Sequence, residues 1–382
     1  MTWWETIQYV LHSDHEVLGV LMITAVTCSL IGSFLVLRRL AMIADAISHS
    51  VLLGLVLAYF LTKDVASPWL TIGAAIFGLI TVWSTETLPR SGLVKGNDAI
   101  GLVYPFFFAI AVILLTRYGQ NVHLDADCIL MGEVILTPLN RVSIFNISLP
   151  KAMVEMLVLL LINSAFIGLL YKELKANTFD AEFAKLAGFS GAFLFYGLMT
   201  LTSFTTVVAF DAVGAILVIS FLIAPGAAAN LSSKTLGQLL LNTVLFAILN
   251  SCLGYFLALH WNVSMSGMTA TVAGLTFLAT LLCHRQGVVT QWFTRRRKRR
   301  EFKEALILLH IAHHSNAQEA AEELGTTTIH QHLQWQKEKL QPLLKKLLQK
   351  QEIMIQQEDQ IYQLTPNGLI RLDQLKEKYQ IN

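Results

Sequence analysis

The chain has 382 residues, of which 54% are hydrophobic and only 14% are charged. Because soluble globular proteins have about 25% charged residues, this composition excludes a water-soluble protein for most of the chain and indicates an integral membrane protein. The formal net charge of +2 says little, since the charges are unevenly placed. The four scattered cysteines include no CxxC pair, so neither a zinc knuckle nor a disulfide framework is predicted.

Nine apolar segments of membrane-spanning length follow one another from the N-terminal region to about residue 285. Each approaches the ~20 residues that a helix needs to cross ~30 Å of hydrocarbon. The sixth and seventh segments nearly touch, with a weakly defined boundary at Asp211. The predicted segments are 17–37, 40–62, 66–86, 98–116, 152–171, 191–210, 212–231, 236–259 and 266–284. We expect an all-α polytopic membrane domain over 1–285, with eight or nine spanning helices.

Lysine and arginine predict the orientation of the chain, because they concentrate on the cytoplasmic side of spanning helices. With the N-terminus outside, one side of the membrane receives most of these residues. They are Arg38, Arg39, Arg90, Lys95, Lys172, Lys175, Lys185, Lys234, Arg285 and the run from Arg295 to Arg300. The other side receives Lys63, Arg117, Arg141 and Lys151. We therefore expect an outside N-terminus and a cytoplasmic C-terminal region.

The second apolar segment contains two ionisable residues, Asp45 and His49. Their spacing of four residues places them on one face of a helix, one turn apart. Ionisable groups at membrane depth cost about 2.5–3.5 kcal/mol each and usually mark an ion or substrate pathway. A carboxylate beside an imidazole is a candidate half-site for a divalent transition metal. The alternative is a hydrogen-bonded pair that only holds helices together.

The long loop 117–151 on the expected outer side contains acidic residues and a histidine. An acidic vestibule there would concentrate cations, and ordinary solvated loop charges are the alternative. An apolar stretch after the first acids predicts a short helix on or in the membrane surface over 125–133. The candidate vestibule residues are His123, Asp125, Asp127 and Glu133.

The composition changes after Arg300, where a basic juxtamembrane linker, 286–300, gives way to a small polar domain, 301–382. The periodicity predicts three helices, a β-hairpin and a closing helix. Their expected bounds are Glu304–His314, Ala317–Leu324, Leu333–Gln349, Ile353–Gln356 with Ile361–Leu364, and Pro366–Tyr379. This order resembles a winged helix-turn-helix domain, so we expect a winged-helix-like α+β domain in the cytoplasm.

The charge of this small domain argues against nucleic acid as its partner. Residues 301–382 contain nine Lys/Arg and eleven Asp/Glu, whereas DNA binding rests largely on a basic face. A regulatory or protein-contact role is expected instead. His310, His313 and His314 could bind a metal, and His310 and His314 are four residues apart, although a solvated or capping role is commoner for such residues.

The segment Arg38–Ser50 closely resembles the signature of metal ABC-transporter permeases of the manganese, zinc and iron class. That pattern has a basic pair, an apolar turn and then Gly/Ala-Asp-Ala-x-Ser-His. Other stretches resemble the same family in the same order, and the likeness covers about residues 20–285. They are Asn97–Gly101, Cys128–Glu133, Phe179–Gly188 and Val213–Ala229. The C-terminal domain resembles a subgroup with an extended cytoplasmic tail.

This resemblance implies a permease subunit of an ATP-driven importer of Mn, Zn or Fe in the bacterial cytoplasmic membrane, with metal passing Asp45 and His49. Expected partners are cytoplasmic ATPase subunits, an extracytoplasmic metal-binding protein, a second permease copy or paralogue, and membrane lipid. The chain lacks a Gly-x-x-x-x-Gly-Lys-Ser/Thr loop, so we expect ATP hydrolysis in a separate subunit. We expect no catalytic residue in this chain. No permanent cofactor is expected, since the divalent metal is cargo. The ATPase-coupling residues would be Phe179, Asp180, Ala184 and Gly188.

Two other functions remain open from the sequence. One is a secondary transporter driven by an ion gradient, with Asp45 and His49 as a proton relay. The other is a membrane-tethered metal sensor with the winged-helix-like domain as its output. The missing nucleotide loop fits the secondary transporter equally well, but Arg38–Ser50 and Phe179–Gly188 together argue against it.

Overall fold

The computed structural model describes residues 15–64, 67–92, 94–118, 134–144, 147–284, 288–315, 320–333, 335–356 and 360–379. The chain divides into two compact units, residues 1–284 and residues 285–382. Each unit has its own cluster of buried apolar side chains.

The first unit is almost entirely helical. Its helices are α1 His15–Leu37, α2 Ala41–Thr62, α3 Pro68–Thr87, α4 Gly96–Tyr118, α5 Lys151–Leu169, α6 Tyr171–Phe179, α7 Ala181–Leu186, α8 Gly191–Val213, α9 Ala215–Ser232, α10 Leu236–Trp261 and α11 Met265–Cys283. Within the described residues, nine of these helices are long and apolar enough to cross a membrane, all except α6 and α7. The prediction of a polytopic all-α domain with eight or nine spans is confirmed.

The break between the sixth and seventh spans lies at Gly214, so the boundary expected at Asp211 is wrong. Asp211 lies in the last turn of α8, and α9 begins immediately after Gly214. The backbone of Gly214 has φ +83°, a conformation that favours glycine and ends the helix within one residue. Hydropathy cannot place such a break, because both flanking stretches are equally apolar.

Helix α1 lies inside the first unit and packs against α5, α8, α9 and α10. Its surface is buried on most sides, which explains a sequence that is apolar or small after Glu16. Small residues permit close helix contacts, as at Gly226 of α9, whose added Cβ would lie 3.0 Å from the Ser33 Cα of α1. Helix α2 packs mainly against α3 and α4.

A β-hairpin precedes α5, which the sequence did not predict. Strands β1, Arg141–Ile144, and β2, Ile147–Pro150, pair antiparallel with Arg141 opposite Pro150. A 3₁₀ helix, Val134–Leu139, leads into it. The short helix expected over 125–133 lies outside the described residues.

The second unit contains five helices and one hairpin in the part that the structure describes. They are α12 Val288–His314, α13 Ala320–Glu323, α14 Ile329–His332, α15 Lys337–Gln349, β3 Ile353–Gln356, β4 Ile361–Leu364 and α16 Pro366–Tyr379. Strands β3 and β4 pair antiparallel, with Ile353 opposite Leu364. The small α+β domain is confirmed, and the hairpin and α16 have the predicted bounds.

Two predicted helix starts in the second unit are wrong. Helix α12 begins at Val288 and not at Glu304, so the basic linker is helical from Val288 onward. Helix α15 begins at Lys337 and not at Leu333, because Gln336 is extended and a separate turn, α14, comes before it. Ala320–Glu323 is the described part of the helix expected at Ala317–Leu324.

Candidate metal-transport site

Asp45 and His49 lie on adjacent turns near the start of α2. The His49 Nε2 and the Asp45 Oδ1 are 3.6 Å apart, and each side chain is about one-third exposed, at 34% and 33%. The residues around them, Ala44, Ala46 and Ile47, are buried. The pair is therefore a solvent-accessible polar site on α2, and the side chains next to it in the sequence are buried.

Two aromatic rings from α4 contact the imidazole of His49. The ring of Tyr104 stacks on it, with centroids 5.6 Å apart, and the ring of Phe108 meets it edge-on at 5.7 Å. The rings limit the rotation of the imidazole and shield one side of it from water. Sequence reasoning missed both residues, although their own spacing of four residues places them on one face of α4.

Asp45 and His49 supply two donor side chains. No group of three or more His, Cys, Asp or Glu side chains that could hold a metal occurs among the described residues. Two protein donors leave a transition metal with open coordination positions, which suits cargo that enters and leaves. That the pair forms half of a metal site therefore stays a prediction.

The predicted coupling segment folds as a short helix with a cap at each end. The Asp180 Oδ1 accepts a hydrogen bond from the Phe183 backbone N at 2.9 Å and caps α7. After α7 the backbone of Gly188 has φ +85°, and the Phe189 N donates to the Ala184 carbonyl at 2.9 Å. Asp180 and Gly188 therefore define where α7 starts and stops.

The outward surface of this segment is apolar and bulky. Phe179, Phe183 and Leu186 are 63%, 59% and 89% exposed, whereas Ala184 is buried within the chain. Ala184, one of the predicted coupling residues, is therefore not part of this outward surface. Sequence reasoning missed Phe183 and Leu186. Their spacing of three residues places them on one face of a helix, and this was the available signal.

The residues from 14 to 284, most of the chain, match the model of the ABC 3 transport family. The chain belongs to the ABC 3 transport family. This match covers the whole first unit apart from its first residues. It includes the helix with Asp45 and His49 and the segment around α7.

Known proteins similar to this family member carry metal-transport names. The zinc transport system membrane protein TroD of Treponema pallidum is 39% identical over 321 residues, 84% of this chain and 88% of that protein. The manganese transport system membrane protein MntD of Bacillus subtilis is 42% identical over 272 residues, 71% of this chain and 92% of that protein. The first unit ends at residue 284, whereas the similarity to TroD covers 321 residues. The similarity therefore extends into the second unit.

A solved structure has the same fold in its spanning region. PsaBC from Streptococcus pneumoniae in complex with Fab superposes with a TM-score of 0.64 at 25% sequence identity. The superposition covers 77% of this chain and 99% of that chain. This chain is accordingly a multi-pass membrane permease of the metal-transporting class.

In this ABC 3 family member, Arg38 of the basic pair directly follows α1 and contacts α6 just before the predicted coupling segment. Its Nε donates a hydrogen bond to the Thr178 Oγ1 of α6 at 3.3 Å. Burial lowers the pKa of the Arg38 guanidinium. Arg38, a residue of the family signature, is therefore a partly buried cation that holds α6 in place beside the segment Phe179–Gly188.

The four candidate vestibule residues, His123, Asp125, Asp127 and Glu133, lie outside the described residues. Close to them along the chain, Arg141 of β1 makes two hydrogen bonds to the Glu16 carboxylate, at 2.8 and 2.9 Å. These hydrogen bonds raise the pKa of Arg141. The ion pair ties the hairpin to the start of α1.

Proposed function

We propose that this permease is the membrane subunit of an ATP-driven importer of a divalent first-row metal, Mn²⁺, Zn²⁺ or Fe²⁺. Asp45 and His49 would bind the metal as it passes. The observation that carries the proposal is the pair itself, a carboxylate and an imidazole 3.6 Å apart on a spanning helix. Carboxylate and imidazole together suit all three metals. The zinc and manganese names of the relatives support this substrate class.

A pair with only two donors fits a pathway better than a storage site. A metal held by few protein ligands keeps water and can be passed on, and a second permease copy or paralogue could add an equivalent pair. The rings of Tyr104 and Phe108 would hold the imidazole ready for the metal. In this reading the metal is cargo, and the chain has no permanent cofactor.

ATP would be hydrolysed by a separate subunit that docks on the segment Phe179–Gly188. The exposed side chains of Phe179, Phe183 and Leu186 support this assignment, because three bulky apolar groups on a short loop helix are typical of a docking surface. Asp180 and Gly188 would hold this surface in shape. An extracytoplasmic binding protein would deliver the metal at the opposite side, where the N-terminus would lie.

The importer is favoured over the two alternatives by the coupling segment. A secondary transporter needs no docking surface for an ATPase, and a sensor needs no pathway.

For the second unit we infer a winged-helix-like regulatory role, supported by the order of its helices and hairpin. A transport assay after truncation at Arg300 tests this. A regulatory unit predicts retained transport with an altered response to intracellular metal, and lost assembly would contradict it.

The metal assignment is tested by uptake of labelled Mn²⁺ and Zn²⁺ in cells that also express the ATPase and the binding protein. Asp45→Asn and His49→Ala should each lower uptake by at least about 10-fold, because each removes a ligand without adding membrane charge. Thr62→Val is the matched control, because it changes only a hydroxyl that donates to the Ala58 and Asp64 carbonyls nearby in the chain. Normal uptake by either variant at equal expression would remove that residue from the site.

A further inference from the structure

Helix α8 is the spanning helix that directly follows the coupling segment. Only Phe189 and Ser190 separate Gly188 from the first residue of α8. The Ser190 Oγ accepts a hydrogen bond from the Phe193 N at 3.3 Å and caps the helix. Because the connection is short and capped, a displacement of the segment would also move the first turn of α8.

Helix α8 is bonded to α3 at two depths. The Tyr196 Oη donates to the Glu86 Oε2 at 2.7 Å, and the Ser203 Oγ donates to the Ala75 carbonyl at 3.0 Å. Tyr196 and Ser203 are seven positions apart, which corresponds to about 10 Å along the helix. Two bonds this far apart on antiparallel helices oppose both sliding and rotation.

Helix α3 is joined to α2 through glycines. An added Cβ on Gly73 would lie 2.7 Å from the Ala58 Cβ, so the two backbones are in close contact. An added Cβ on Gly78 would overlap the Ser203 hydroxyl and would lie 3.2 Å from the Ile47 Cγ2. Gly78 is thus the point where α8, α3 and α2 meet.

Ile47 lies between Asp45 and His49 in the sequence and is fully buried. The contact at Gly78 is consequently made by the same turns of α2 that carry the metal pair. On α4, by contrast, His49 meets the aromatic rings of Tyr104 and Phe108. These are contacts between side chains, whereas the contacts at Gly54 and Gly73 bring the backbones of α2 and α3 together.

We propose that α8, α3 and α2 move as one block, so that a shift of the coupling segment repositions Asp45 and His49 against α4. Gly78, Tyr196 and Ser203 are the positioning residues of this relay. The inference rests on the proposed function and adds to it a route between the ATPase contact and the metal pair. It predicts that loosening the block lowers the number of metal ions transported per ATP.

The experiment uses the full permease with its ATPase and binding protein in proteoliposomes, and measures uptake and ATP hydrolysis together. Tyr196→Phe removes the bond to Glu86 without changing the ring. It should lower the metal-to-ATP ratio by about 5-fold while ATP hydrolysis stays within about twofold of wild type. Thr200→Val is the control, since the Thr200 hydroxyl bonds only to the Tyr196 carbonyl of its own helix.

A packing exchange at Gly78 tests the same relay independently. Gly78→Ala should lower the ratio, and Ser203→Gly should make room for the new methyl group. The double variant should therefore match Ser203→Gly alone instead of adding the two defects. Gly274→Ala is the control, because an added Cβ there meets nothing within 4 Å.

The outcomes separate the relay from the importer. Unchanged ratios in Tyr196→Phe and Gly78→Ala, or uptake and ATP hydrolysis falling in equal proportion, would overturn the relay. If the proposed function itself is wrong, the wild-type complex will show no ATP-dependent metal uptake. Should Gly78→Ala fail to fold, Tyr196→Phe still decides the question.

Discussion

The imidazole of His49 and the phenol ring of Tyr104 lie nearly parallel, with centroids 5.6 Å apart and an angle of 26° between their planes. This stack joins a candidate metal ligand on α2 to α4. A ligand held in one orientation loses less freedom when metal binds. Tyr104 is therefore expected to affect metal affinity without touching the metal.

Tyr104→Ala should raise the KM for metal uptake by about 2- to 10-fold, the range expected for a lost aromatic pair. Tyr104→Phe keeps the stack and should behave like wild type. Transport kinetics at several metal concentrations distinguish the two variants. An equal defect in both would point to the Tyr104 hydroxyl and contradict the stacking role.

Charges on the outward surface of α7 should prevent the ATPase from binding. Phe183→Asp and Leu186→Asp change exposed side chains, so the permease should be made in normal amounts and copurify with far less ATPase. Ala184→Glu differs, because the carboxylate would be buried and the permease itself should be made in lower yield. Normal ATPase copurification with both Asp variants would exclude this surface as the docking site.

Glu304 of α12 is a buried carboxylate in the second unit with three nearby cations. Lys346 contacts it directly, Arg300 lies 3.7 Å away and Lys350 4.0 Å away. Glu304→Ala removes the carboxylate that pairs with Lys346 and Arg300, whereas Lys350 keeps Glu352 at 3.7 Å. The substitution should lower the free energy of unfolding of the second unit by about 1.5–3 kcal/mol. Hydrogen exchange in α15 of the full chain measures the loss.

The matched control for Glu304 is Glu301→Ala. Glu301 pairs with Arg297, which is largely exposed, at 3.6 Å. Because Arg297 is largely exposed, this ion pair should contribute only about 0–1 kcal/mol, and the effect on exchange should be smaller than that of Glu304→Ala. Equal effects of the two substitutions would show that burial of Glu304 is unimportant.

His310 makes the stability of the second unit dependent on pH. Burial, and then the neighbouring His314, lower the pKa of His310 below its ordinary value of 6.5. Where the unfolded chain binds more protons than the folded one, stability rises with pH. The contribution of His310 is therefore complete above pH 6.5 and is lost as the pH falls from there through the folded pKa.

Hydrogen exchange of α12, corrected for its intrinsic pH dependence, should show this loss between neutral and mildly acidic pH. His310→Leu should reduce the pH dependence, because the substituted side chain does not titrate. His313→Leu, three residues further along α12, is the control. An unchanged pH profile in His310→Leu would assign the effect to another group.

Much of the membrane unit follows from local sequence. Apolar length alone predicted nine spans, because a helix must be about 20 residues long to cross the hydrocarbon, wherever it packs. The pair of Asp45 and His49 was equally predictable, since a spacing of four residues places two side chains together on any helix. Failures occurred where backbone conformation mattered, as at Gly214.

The sequence by itself determined the spans, the polar pair on α2 and the capped segment at α7, all of which depend on residues close together in the chain. Only the tertiary structure decided what surrounds them: the ring of Tyr104 on His49, and the meeting of Gly78 with Ser203 and Ile47. These contacts join residues far apart in sequence, and hydropathy is the same whichever helices are neighbours. Specific side-chain packing therefore had to be observed.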